Sequence, residues 1–238
     1  MSSSEVEALS PIGEDIWVAK RDLPLLVGNL GARMTVIRLP SGGLFVHSPV
    51  LPDENTRAAL VALAPVTAVV APNKTHHFFI RRFREAFPSA EYWAAPGLRQ
   101  KRADLQFDGV LTDNPPTTWA EDLDQIHIRG VPTLEEIVFY HRRSRTLILT
   151  DLAFNFRRNS AQDWRARIFL RLTGVDGRLG PHRLVRALVR DHEAFTASLR
   201  RMFDWDFETV VVSHGDVLHT GGKAALERAF ARWLRRSA

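Results

Sequence analysis

The alternation of apolar and polar positions divides the chain into short β-rich runs first and helical runs later. Ile12 to Ala19 reads as a strand entered through a glycine turn, followed by a loop from Arg21 to Gly31. Met34 to Leu39 alternates and is rich in β-branched residues, which predicts a strand. The Pro40–Gly43 turn pairs it as a hairpin with Leu44–Pro49. Asp53-Glu54 open a helix carrying Leu60, Val61 and Leu63 that ends before Pro65. Val66 to Ala71 is a buried strand halted at Pro72. Ile80 to Phe87 is a basic amphipathic helix, Glu91 to Ala95 a strand, Leu98 to Leu105 a short helix, and Asp108 to Thr118 a loop. Ile126–Gly130 and Glu135–His141 are strands, and the second turns at Arg142–Ser144 into the buried strand Thr146–Thr150. Trp164, Ile168, Phe169 and Leu172 recur at helical spacing, as do Leu184, Leu188, Phe195 and Leu199, with Gly174–Pro181 between the two helices. Thr209–Ser213 is the last strand, and Ala224–Leu234 closes the chain as an amphipathic helix.

Strands that first pair locally and later alternate with helices predict an α/β fold in which helices enclose two sheets. Ligands in such folds sit in loops past the carboxyl ends of strands. Three of these ends carry chemistry: His76-His77 after 66–71, Asp151 after 146–150, and His214 after 209–213. Adjacent loop histidines are commonly surface or structural residues. Their recurrence with Asp151 and His214, each after an apolar run, favours a metal site, since imidazole and carboxylate on rigid strand ends suit zinc or iron.

Composition narrows the chemistry. The chain has 238 residues, 45% hydrophobic and 25% charged, enough for one large domain or two small ones. It has no cysteine, so disulfides and thiolate ligands are excluded and any metal must be held by His, Asp, Glu or Asn. Met1 to Glu7 has neither the positive nor the apolar region of a signal peptide, and no apolar run approaches a membrane span. A soluble cytoplasmic protein is expected. Net charge is +5, and the excess is local: residues 155–201 hold eleven arginines against Asp163, Asp176, Asp191 and Glu193.

Together these features resemble the metallo-β-lactamase fold from about Ile16 to Leu234. More narrowly, Ile16-Trp17, Met34-Thr35-Val36-Ile37, Val46-His47-Ser48-Pro49, Ala71-Pro72-Asn73, His76-His77 and Thr150-Asp151-Leu152 are similar to an uncharacterised bacterial branch of that superfamily, known only as a domain of unknown function. The resemblance implies a four-layer αββα sandwich. It implies one domain over 1–238 with an Arg-rich helical insertion at about 155–201. It also implies a site. The last two positions of the superfamily motif H-x-H-x-D-H align with His76 and His77, and its first two histidines with Pro72 and Lys74. Asp151 takes the bridging aspartate and His214 the final histidine. The middle histidine should fall near Gly130 to Thr133, where there is none, and His47 stands where the family has an acidic residue.

One of the family's two metal sets therefore keeps only Asp151; the other keeps His77, Asp151 and His214, with His76 in place of Asp. The resemblance implies one divalent metal, Zn, Fe or Mn, on these four residues, with Lys74 placing a cation near the lost site. A shifted alignment sets Asn73 at the second motif position and His76 at the last, leaving His76, Asp151 and His214.

The remaining candidates carry two readings each. His47 either orients His76 or His77 or is a buried hydrogen-bonded histidine. Asn73 either donates to substrate or caps a helix. Glu136, with Glu135, is a ligand or general base, or a solvated edge residue. The 155–201 segment is a lid, an anionic-membrane contact, an anionic-substrate funnel, a nucleic-acid contact, or a solvated face with ion pairs. Its aromatics form no recognised nucleic-acid motif. The expected function is a mononuclear metal-dependent hydrolase of an ester, thioester, lactone or phosphoester, with Asp151 as ligand and proton acceptor and the arginines favouring an anionic small-molecule substrate. The alternative is a non-catalytic member of the fold that binds a small ligand or partner.

Overall fold

The computed structural model describes residues 9–160 and 163–235, so the reading of Met1 to Glu7 lies outside the described residues. In chain order the elements are β1 (Ser10–Gly13), β2 (Ile16–Arg21), β3 (Pro24–Leu25), β4 (Gly28–Asn29), β5 (Ala32–Arg38), β6 (Leu44–His47), α1 (Glu54–Leu63), β7 (Val66–Ala71), α2 (Ile80–Ala86), β8 (Glu91–Ala94) and α3 (Leu98–Lys101). They continue with β9 (Gly109–Val110), β10 (Leu123–His127), β11 (Ile137–His141), β12 (Thr146–Ile148), β13 (Phe154–Phe156), α4 (Trp164–Thr173), β14 (Arg178–Gly180), α5 (Arg183–Leu188), α6 (His192–Asp204), β15 (Thr209–Val211) and α7 (Gly222–Leu234).

Two sheets face each other. One runs β1-β2-β5-β6-β7-β8-β9, the other β10-β11-β12-β15. Period-2 alternation feeds separate apolar layers. Phe45, Ala68 and Val70 point between the sheets and meet Ile137, Phe139 and Ile148. Leu44, Val46 and Val69 point outward to Leu60, Ile80 and Phe83 of the helices α1 and α2. On the far side, Val138, Tyr140 and Leu147 pack under Phe195, Leu199 and Met202 of α6 and Phe230 and Trp233 of α7. The result is helix, sheet, sheet, helix, as expected.

Local chemistry explains the departures from the sequence reading. The first strand is two, β1 and β2, folded as a hairpin with Asp15 at φ 55°. The loop 21–31 contains the small β3–β4 hairpin. The helical pattern 184–199 is two helices, because Asp191 caps the second through Ala194 N and the amides of Arg190 and Asp191 turn to the Gly130 carbonyl.

The 155–201 segment is not one insertion. Its α6 part is a core layer of the sandwich. Its α4 part packs with Leu30, Phe154 and Val175 through Ala166 and Leu170. Asp163 ties this small core together, accepting from Ala166 N at the start of α4 and from Asn29 N in the hairpin. Gly28 (φ +101°) permits the contact, since a Cβ there would lie 2.4 Å from Ala166 N.

Candidate metal centre

The loop after β7 is built by one side chain. Pro72 ends the strand, and its carbonyl accepts from Ile137 N of the opposite sheet. Asn73, fully buried, then folds the loop over itself: Oδ1 accepts from Thr75 N and His76 N at 2.8 and 2.7 Å. Its Nδ2 donates to Thr150 Oγ1 and to Asp151 Oδ2, both at 2.9 Å. Asn73 thus joins the histidine loop to the aspartate turn. It does not cap a helix; α2 starts at Ile80, and its N-cap residue Phe79 makes no side-chain cap.

The aspartate turn is held from below by Glu136. This carboxylate is completely buried and accepts from the backbone amides of Thr150, Asp151 and Leu152 at 2.7, 2.9 and 2.9 Å. Burial and the nearby Asp151 push it up to about 7, against the pull of those donors. The solvated-edge reading is therefore corrected. Glu135 adopts φ 51°, which turns the chain so that Glu136 faces inward and Glu135 pairs with His127.

His214 lies in the turn just past the last strand, β15. Arg33, buried in β5, donates to the carbonyls of Val212 and Gly215 on either side of it. Burial lowers this guanidinium to about 10, still charged at neutral pH. Gly215 (φ +102°) lies against the backbone of Asn155, where a Cβ would meet the carbonyl oxygen at 1.9 Å.

These supports bring His76, Asp151 and His214 together, with one ligand atom from each within 4.8 Å of the others. His214 Nδ1 donates to the Gly31 carbonyl at 2.7 Å, which leaves its Nε2 lone pair facing Asp151 Oδ1 at 3.4 Å. His76 Nδ1 shares a 2.7 Å bond with Ser48 Oγ, and its Nε2 lies 3.4 Å from Asp151 Oδ2. Bonds of about 2.1 Å at tetrahedral angles place two ligand atoms about 3.4 Å apart. The donor set fits a divalent ion. Burial pushes the Asp151 carboxyl up, but His76 and His214 outweigh it and hold it well below the usual carboxylate range. Thr75 Oγ1 donates to the same carboxylate.

The other expected residues lie elsewhere. His77 is not part of the cluster. Its Nδ1 bonds Arg102 at 2.8 Å, and burial with the cations of Arg102 and Lys101 lowers it to about 4. Lys74 points away and donates to the Pro132 carbonyl. His47 is buried against Phe139, and neither ring nitrogen has a hydrogen-bond partner among the described residues. It therefore orients neither histidine through a hydrogen bond. Burial, with His76 nearby, lowers it to about 3.

The cluster opens into a cavity of about 470 Å³. Its wall is mostly apolar, including Leu23, Leu25, Val27, Phe78, Phe79 and Phe169. Thr133 lines it where the resemblance expects a middle histidine. Among the described residues no arginine or lysine lines it, so the 155–201 arginines do not form an anionic-substrate funnel in its wall. Several are engaged on the outside, as in Arg157 with Asp216, Arg171 with Asp176 and Arg201 with Asp113.

One wall residue escaped the sequence reading. His182, nearly buried, caps α5: its Nδ1 accepts from Leu184 N and Val185 N at 3.1 and 3.3 Å. Its ring and that of His214 both pack on Phe154, at 4.8 and 4.9 Å. Burial lowers its pKa. The signal available was Pro181 followed by a polar residue before an apolar helical run.

The profile of a family described as "Domain of unknown function (DUF4336)" matches residues 13–167. No curated protein matches the chain. Solved structures show the fold. A metallo-beta-lactamase from Pontibacter korlensis superposes with a TM-score of 0.65 at 11% identity, covering 96% of this chain and 99% of that one. One from Erythrobacter litoralis, with beta mercaptoethanol in its active site, gives 0.64 at 15% identity, covering 95% and 93%. The metal-soaked Flv1 flavodiiron core from Synechocystis sp. PCC6803 gives 0.64 at 14% identity, covering 95% of this chain and 60% of that one. The chain has the metallo-β-lactamase fold. No helix among the described residues is long and apolar enough to cross a membrane.

Proposed function

The chain belongs to the DUF4336 family, and for this member we propose a mononuclear metal-dependent hydrolase of carboxylic esters or thioesters. The observation that carries the reading is the convergence of two imidazole Nε2 atoms on one carboxylate at the wall of a cavity. His76, Asp151 and His214 would hold the ion. Two histidines and a carboxylate with open positions is a donor set used by zinc hydrolases and by non-haem iron, so Zn²⁺, Fe²⁺ and Mn²⁺ are the candidates. When bound, such an ion supplies Lewis acidity toward a carbonyl oxygen or a water.

The chain's own residues do the rest. Gly31 and Ser48 orient the two imidazoles, as outer partners of metal-binding histidines commonly do. Asp151 stays ionised and serves as ligand and proton acceptor. Asn73, Thr75 and Glu136 fix its turn. The apolar wall would limit water around the reacting bond.

A second reading, a non-catalytic binder, is favoured by His77 lying outside the cluster, which leaves three ligating residues rather than four. Elemental analysis of protein purified without chelator separates the two when followed by ester and thioester assays. The hydrolase reading expects about one equivalent of metal, lost in His214→Ala, and turnover lost in Asp151→Ala. No metal under zinc, iron or manganese supplementation would overturn it, as would turnover that survives Asp151→Ala.

A further inference from the structure

The three histidines around the cavity are wired in two opposite ways. His214 gives its Nδ1 proton to a carbonyl, so Nε2 is left as a lone pair. His182 does the reverse. Its Nδ1 is an acceptor for two backbone amides, so its neutral ring carries the proton on Nε2. Ligation through that Nε2 would require the proton to move to Nδ1, where it would face two N–H groups. His182 is therefore a hydrogen-bond donor beside the cluster and not a ligand of it.

The rest of the cavity complements this arrangement. Among the described residues, Asp151 is the one formally charged side chain in its wall, and the polar groups are otherwise hydroxyls and the three imidazoles. Hydrocarbon side chains from four regions, Leu25, Val27, Phe78, Phe169, Val185 and Leu188, make up most of the remainder. A charged substrate would lose its hydration with no opposite charge to replace it, apart from a bound ion. A hydrocarbon chain would gain from burial along the full wall. The volume lies within the range of small-molecule sites.

We propose that the cavity is the binding site for an uncharged acyl compound, its hydrocarbon chain on the Leu25–Phe169 wall and its carbonyl oxygen accepting from His182 Nε2–H. This deepens the hydrolase reading above by naming its substrate class, but the binding of the chain does not depend on the ion. A positively charged head group would instead be drawn to Asp151, which makes cationic amines a contrasting probe.

The test uses butanamide, hexanamide and octanamide, with octanoate and octylamine as charged controls, titrated calorimetrically against the full chain with and without metal. In metal-free protein, affinity should rise up to about fourfold per added methylene, and octanamide should bind at least tenfold more tightly than octanoate. Leu25 is 39% exposed, so Leu25→Arg should fold normally, as checked by circular dichroism, and should abolish the dependence on chain length. His182→Asn keeps a good helix cap while removing the ring donor. It should weaken octanamide up to about tenfold and leave metal content unchanged.

Affinity independent of chain length, or octanoate or octylamine preferred in metal-free protein, would overturn the proposal. Loss of metal in His182→Asn would overturn the donor assignment. Chain-dependent binding in protein that never takes up metal would instead sink only the hydrolase reading.

Discussion

Two histidine–aspartate clusters sit in this fold and share their residue types. At one end, His76 and His214 face Asp151. At the β11–β12 turn, His141 bonds Asp122 through Nε2 at 3.0 Å and Ser144 Oγ through Nδ1 at 2.6 Å, and Arg143 adds two further bonds to the same carboxylate. By residue type alone, the second cluster resembles a nucleophile, base and orienting acid. Its geometry says otherwise. Both ring nitrogens of His141 are occupied, the ring is fully buried, and the aspartate has its own counter-charge. At Asp151 each histidine uses only Nδ1 and leaves Nε2 toward a cavity. What separates a site from a staple is unused coordinating capacity facing open space, not the kind of side chain.

That comparison can be broken in graded ways. The largest effect is expected for Glu136→Ala, which strips the acceptor from three backbone amides; urea unfolding should show a loss of about 3–5 kcal/mol, and metal binding should fail with it. Asp151→Ala should lower turnover about a hundredfold or more and release metal, read by steady-state kinetics and elemental analysis. His141→Ala should cost about 2 kcal/mol in unfolding free energy with metal content unchanged. A metal loss in that variant would erase the distinction between the clusters.

The pH dependence sharpens it further. His47 is lowered from 6.5 to about 3, so the unfolded chain takes up the proton first as pH falls. Its contribution is fully present above 6.5 and is lost as pH falls from 6.5 toward about 3. Glu136 acts in the opposite sense, since its raised pKa makes stability fall as pH rises from 4.5 to about 7. Comparing the protein with His47→Phe by urea titration at pH 7 and pH 5 isolates the first: the difference should vary with pH, and a flat difference would refute it. The smallest effect is expected for His77→Ala, with metal content unchanged, because that ring faces Arg102.

Most of the layer order was legible because apolar periodicity and caps act locally, as at Asp53 before α1 and at Pro72 after β7. The strand-end rule placed the cluster region through Asp151 and His214, and the shifted alignment contained the triad that the fold assembles. His77 was indistinguishable from His76 in sequence, since which of two neighbours faces inward is decided by Asn73 folding the loop. For Glu135 and Glu136, alternation implies one inward-facing residue without saying which; the left-handed backbone at Glu135 makes it Glu136, which the solvated-edge alternative did not allow for. His182 was silent because its neighbours in the site, Phe154 and His214, come from other elements. Arginine counts could not reveal that the charge lies outside the cavity.

The clamp on the last strand has a consequence for how the chain matures. The bond from His214 to Gly31 spans 183 residues, and that from Arg33 to Val212 spans 179. Both join β5 and the residue before it to the turn after β15, so no nascent or truncated chain that stops short of that turn contains the pocket floor. Contacts of such separation cost loop-closure entropy that local pairings do not, which slows their formation. If the proposed site takes up an ion, that uptake reports completion of the chain: in refolding followed by stopped flow it should lag strand formation, and an ion supplied early should not template the fold.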